Sequence, residues 1–175
     1  LPYASAIAED VLAWLSQSPV VERAEPLVSL RRQVATVGDV DIAVASNKPK
    51  EAIAHFTKYP KRVKLIEAGE ATASVLLPGG VQVDLMVQPP QAFGALLQHF
   101  TGSKHHNIAL RTLAQKKGLS LSEYGVKKGG KLRSFATEEE FYKELGLVWI
   151  PPVLREDEGE IVGAARDRFP NLVEP

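Results

Sequence analysis

At 175 residues, with 45% hydrophobic and 24% charged residues and no cysteine, the chain can bury a real core, and disulfides and thiolate metal sites are excluded. Its 21 basic and 21 acidic residues cancel, which excludes a uniformly basic coat, and no apolar run approaches a membrane span or a signal segment. The absence of cysteine fits a reducing compartment; a cytoplasmic protein with no membrane association is expected, and a monomer.

In chain order, residues 4–15 place Ile7, Val11, Leu12 and Trp14 or Leu15 on one helical side, and Ser16-Gln17-Ser18-Pro19 stops the helix. Residues 20–27 and 40–45 read as strands, and Pro49 opens a helix to about residue 58. Residues 62–67, 71–77 and 81–88 read as three strands, the last two joined as a hairpin around Pro78-Gly79-Gly80. Helices are predicted over 91–100 and 104–117, the second ended by Gly118, and a basic hairpin over 120–135 turning near Gly129-Gly130. Thr137 and Glu140 form a capping box for a helix ending near Leu145, and the acid-rich tail after Ile150 is expected to pack irregularly or fray. The predicted fold class is α+β: a mixed sheet with flanking helices over 1–88 and a small α/β unit over 89–175.

Chemistry concentrates on three aspartates. Asp39 and Asp41 stand one residue apart at a strand and so share a face, and Asp84 sits in a second strand, Val81-Gln82-Val83-Asp84-Leu85. These strands are too apolar to carry free charge cheaply, so a cation is expected among the carboxylates. Oxygen ligands suit Mg²⁺ or Mn²⁺, and two such ions would serve phosphoryl transfer, with Asp39 and Asp41 bridging both and Asp84 on the catalytic one as acceptor of a hydroxyl proton. Ser29, Arg31 and Arg32 lie a short loop upstream, where a hydroxyl, backbone N–H groups and guanidinium can hold a triphosphate, and Gly38 lets the chain turn into the metal strand.

Net neutrality hides an asymmetry. From residue 101 to 133 eight basic residues, Lys104, Arg111, Lys127 and Lys128 among them, face the single acid Glu123, and the balance reverses afterwards. A phosphate-binding segment within a neutral protein has this pattern. His105 and His106 adjoin on a predicted helix and point to different sides, which suits phosphate or template contact better than a two-histidine metal site.

The succession S-x-R-R from Ser29, G-D-x-D from Gly38, V-D-L at Asp84, Phe100-Thr101-Gly102-Ser103 and Leu121-Ser122-Glu123-Tyr124-Gly125 resembles the family X DNA polymerases, bacterial type, over nearly the whole chain. The resemblance implies a polymerase core that adds a dNTP to the 3′-hydroxyl of a DNA primer-template and releases pyrophosphate, in repair or gap filling. It implies a palm over 1–88 and, over 89–175, a subdomain that closes on the nascent base pair. It places Phe100 and Gly102 beside the sugar, Asn107 on the incoming base and Arg111 in the template-side minor groove, where every base pair offers acceptors. Val28, Gln82, Met86 and His99 depart from the family's usual glycine, arginines and tyrosine. The family's lyase and phosphoesterase modules have no counterpart in these residues, so weak, distributive engagement of DNA is expected. The alternatives are a template-independent or small-substrate nucleotidyltransferase and a catalytically weak DNA-binding module.

Overall fold

A computed structural model describes residues 2–27, 31 and 39–165. The chain is α+β, with a five-stranded mixed sheet, flanking helices and a separate three-stranded antiparallel sheet. The large sheet has the order β1 (Arg23–Pro26), β2 (Val40–Ala45), β5 (Gln82–Gln88), β4 (Thr72–Leu76), β3 (Lys64–Ala68). Only β2 and β5 are parallel, because the predicted hairpin folds β5 back along β4 and inserts it beside β2.

Period-2 alternation gives this sheet two different faces. Val40, Ile42, Val44, Val83, Leu85 and Val87 point to one side, where α1 (Pro2–Ser16) covers them with Val11 and Leu15 and α2 (Pro49–Thr57) with Ile53 and Phe56. On the other side α3 (Phe93–Thr101), entered through a 3₁₀ turn at Pro90–Ala92, lays Phe93, Leu96 and Leu97 over Ala43 and Ala45. That cover reaches only the C-terminal half of β2. Asp41, earlier on the same face, is left outside it.

Ala95 of α3 belongs instead to a second core with Leu110 and Ala114 of α4 (Lys104–Lys116), Phe141, Tyr142 and Leu145 around α5 (Glu138–Glu144), and Ala164 of α6 (Glu160–Ala165). One helix thus serves both cores. Its approach to the chain entering α5 requires Gly94, since a Cβ there would lie 2.3 Å from the Thr137 backbone.

One expectation is corrected. The segment 120–135 is three strands, β6 (Ser120–Ser122), β7 (Gly125–Lys128) and β8 (Lys131–Arg133), and only β7 and β8 turn at Gly129-Gly130. The tail after Ile150 packs on the core through short elements joined by irregular chain, as expected: a 3₁₀ turn at Pro152–Leu154, fully buried Arg155, bends over 156–159 and then α6, with 166–175 outside the described residues. Thr137 caps α5 as predicted, its side chain accepting from the Glu140 N–H.

Candidate active site

The parallel register places Asp41 directly opposite Asp84, Asp84 opposite Ser74 on β4, and Ser74 opposite Glu67 on β3. A polar row therefore crosses four strands on the face that α3 leaves open. It floors a cleft of about 310 Å³ walled by Thr72, Met86 and Phe100. Asp84 Oδ1 accepts from Ser74 Oγ at 2.5 Å and from Gln82 Nε2 at 2.8 Å, which fixes the carboxylate. A larger cavity of about 570 Å³ lies against α1, with Ile7, Tyr59 and Leu77 in its wall, but it carries only one carboxylate, Asp10, bonded to Tyr59 and Lys61. Size is outweighed here by the convergence of carboxylates in the smaller cleft.

Burial, then the negative charge of Asp84, then Asp39, push the Asp41 carboxyl up to about 6. Asp39 sits exposed in the bend just before β2. The structure thus joins Asp41 to Asp84, while Asp39 is not part of the cleft wall; among the described residues no three acidic or imidazole side chains are gathered closely enough to hold a metal. The donor set is nevertheless all oxygen and electrostatically frustrated, which fits a hard divalent cation. Glu67, which sequence reasoning did not single out, adds a third carboxylate to the cleft, beside Asp41 and Asp84. Only the strand register reveals it.

Ser29, Arg32 and Gly38 lie outside the described residues, as does Val28. Arg31 is described, and its guanidinium is bonded within the protein: Nη1 donates to Thr101 Oγ1 at 2.8 Å and to Glu138 Oε2 at 2.9 Å, and Nη2 to Glu138 Oε1 at 2.5 Å. Glu138 also accepts from Trp149 Nε1 and from Arg155 Nη1 at 2.7 Å. Burial alone would raise its carboxyl; these hydrogen bonds and positive charges hold it instead at about 2. This cluster ties Arg31 to Thr101 of α3 and Glu138 of α5 and, through Glu138, to Arg155. Sequence reasoning gave neither Glu138 nor Arg155 a role.

At the end of α3, Phe100 is half-buried and meets the His99 ring edge-on at 4.8 Å, while His99 Nε2 stands 3.8 Å from Glu123. Gly102 follows with φ 72°, left-handed backbone that favours glycine. Asn107 is held within the protein, Oδ1 accepting from Gln98 Nε2 and Nδ2 donating to the His99 carbonyl, both at 2.8 Å. Lys104, Arg111, Lys127 and Lys128 are exposed, as a phosphate-facing surface requires. His105 is exposed too, but the expectation for His106 is corrected: it is fully buried between Glu160 and Tyr142, where no phosphate or template reaches it.

The family description "DNA polymerase beta thumb" matches residues 96–156. The chain is 36% identical over 163 residues to the DNA polymerase/3'-5' exonuclease PolX of Bacillus subtilis (strain 168), covering 91% of this chain and 29% of that protein. It is 31% identical over 160 residues to DNA polymerase lambda of Rattus norvegicus, covering 73% of this chain and 28% of the relative. Over 78 residues it is 38% identical to the DNA-directed DNA/RNA polymerase mu of Homo sapiens, 43% of this chain and 16% of the relative. The chain therefore spans less than a third of the length of these curated relatives.

Proposed function

Because this chain belongs to the family X DNA polymerases, we propose that it carries out nucleotidyl transfer from a dNTP to the 3′-hydroxyl of a DNA primer, releasing pyrophosphate. The observation that carries this reading is the pairing of Asp41 with Asp84 across parallel strands at the open end of the sheet. Asp39, Asp41 and Asp84 are the proposed ligands of two Mg²⁺ or Mn²⁺ ions. Bound there, the cations would stabilise negative charge on the entering and leaving oxygens.

The chain's own groups supply positioning. Ser74 and Gln82 both occupy Asp84 Oδ1, so Oδ2 is the oxygen proposed to take the 3′-hydroxyl proton. Ser29, Arg32 and Gly38 are assigned to the triphosphate, Phe100 and Gly102 to the sugar, and Asn107 to the base. Lys104, Arg111, Lys127 and Lys128 are assigned to DNA, where sequence-blind contacts to phosphate and minor groove suit a copying enzyme. In this reading residues 1–88 form the palm and 89–175 the subdomain that closes on the nascent pair. The setting proposed is cytoplasmic repair or gap filling by a monomer.

Primer extension on templated and untemplated ends, with the wild type and with Asp41→Ala, tests the proposal. Templated extension that is lost in Asp41→Ala supports it. Equal extension of both ends points to a template-independent transferase, and no extension by the wild type overturns the polymerase reading.

A further inference from the structure

Outside the carboxylate cleft, one buried polar chain runs from the C-terminal helix to Asn107. Glu160, at the start of α6, accepts from the backbone N–H groups of Asp157 at 2.9 Å and Glu158 at 2.7 Å. Its Oε1 lies 2.6 Å from His106 Nδ1, and His106 Nε2 lies 3.0 Å from the Tyr142 hydroxyl. A side-chain hydrogen bond links Tyr142 to Gln98, and Gln98 Nε2 donates to Asn107 Oδ1. Asn107 Nδ2 ends the chain on the His99 carbonyl. Glu160, His106, Tyr142 and Gln98 are all buried, so water does not complete their hydrogen bonds.

We propose that His106 is a positioning residue for Asn107, setting through Tyr142 and Gln98 which way the Asn107 amide faces the incoming nucleotide. The chain has one consistent direction. An ionised Glu160, already holding two N–H groups, can only accept, so His106 Nδ1 carries the proton and Nε2 accepts from the Tyr142 hydroxyl. The Tyr142 oxygen then takes an N–H from Gln98, whose other N–H goes to Asn107 Oδ1. Asn107 is left with Nδ2 toward His99 and a second N–H, uncommitted among the described residues. Such a donor matches the minor-groove acceptor common to every base pair. Burial lowers the His106 pKa and hydrogen bonds from His106 and the backbone overcome burial to lower that of Glu160, both in accord with a neutral imidazole on a carboxylate.

The part of this proposal that concerns nucleotide rests on the polymerase reading; the part that concerns Asn107's orientation does not. The test uses Tyr142→Phe, which deletes only the linking hydroxyl and keeps the ring 5.2 Å from the Arg155 guanidinium, and His106→Phe as a second break in the chain. In the free, ¹⁵N-labelled protein the Asn107 side-chain amide resonances are expected to shift or broaden in both variants while backbone spectra stay those of a folded chain. In extension assays KM for the correct dNTP is expected to rise about tenfold with a smaller change in kcat, and discrimination against mispaired dNTPs to fall. Unmoved Asn107 amide signals in folded Tyr142→Phe overturn the positioning claim, whatever the activity. Moved signals with unchanged KM and discrimination in an active enzyme overturn the link to nucleotide selection. A wild type with no extension activity defeats the polymerase reading alone, and the amide signals still decide the rest.

Discussion

Replacing Glu138 with glutamine keeps its shape and removes the charge on which Arg31 and Arg155 converge. Its side chain is 3% exposed and that of Arg155 is 0% exposed, so the loss leaves a guanidinium buried without its counter-ion. One-sided deletion of a buried pair costs about 3 to 5 kcal/mol. The displacement of the Glu138 carboxyl from 4.5 to about 2 gives an independent figure, about 3 kcal/mol at 1.36 kcal/mol per pKa unit. Its folded-state pKa is depressed, so this stabilisation is complete above about pH 4.5 and is lost as pH falls toward 2. Urea unfolding of wild type and Glu138→Gln at pH 7 should differ by about 3 kcal/mol, with a melting temperature roughly 10 °C lower in the variant. Titration toward pH 2 should narrow that gap. A difference below about 1 kcal/mol at pH 7, the level of an exposed ion pair, would refute the idea that Glu138 is the buried counter-ion of Arg31 and Arg155.

Asp41→Asn should stabilise the metal-free protein by about 1 to 2 kcal/mol, a value discounted for partial exposure; because the Asp41 pKa is raised to about 6, the wild type should lose this increment as pH rises from 3.8 through 6, which thermal melts across that range would follow. Gly94→Ala should cost about 2 to 4 kcal/mol in chemical denaturation, since a methyl group cannot sit 2.3 Å from the Thr137 backbone without moving α3. Replacing both Lys127 and Lys128 with serine should weaken duplex binding without regard to sequence and lower the slope of log K against log salt by about 1 per lysine, read by fluorescence anisotropy.

Strands β2 and β5 were legible because each is an apolar run interrupted by a single aspartate, and the Pro78-Gly79-Gly80 turn between β4 and β5 was visible as punctuation. The register that opposes Asp41 to Asp84 was not, since it follows from a parallel pairing between strands separated by α2, β3 and β4. β6 escaped because three residues are too few to show a period, and it exists by pairing with β7. Glu138 read as an ordinary first-turn acid in Glu138-Glu139-Glu140; its burial depends on Arg31, 107 positions away. His106 read as a surface group beside Lys104 and His105, yet its partner Glu160 lies 54 positions on. Long-range polar pairing leaves no local pattern, which is why Glu138, Arg155 and His106 were misjudged, while Glu67 depended on strand register.

The most direct test of the carboxylate face is the rate of a single nucleotide addition, measured under single-turnover conditions at saturating Mg²⁺, in wild type and Asp84→Ala. Comparable unfolding temperatures of the two proteins separate chemistry from folding. If Asp84 acts in the transition state, the variant should lose roughly a thousandfold or more in rate, some 4 kcal/mol or more of barrier. Extension by Asp84→Ala at the wild-type rate would contradict the assignment of this sheet face as the active site.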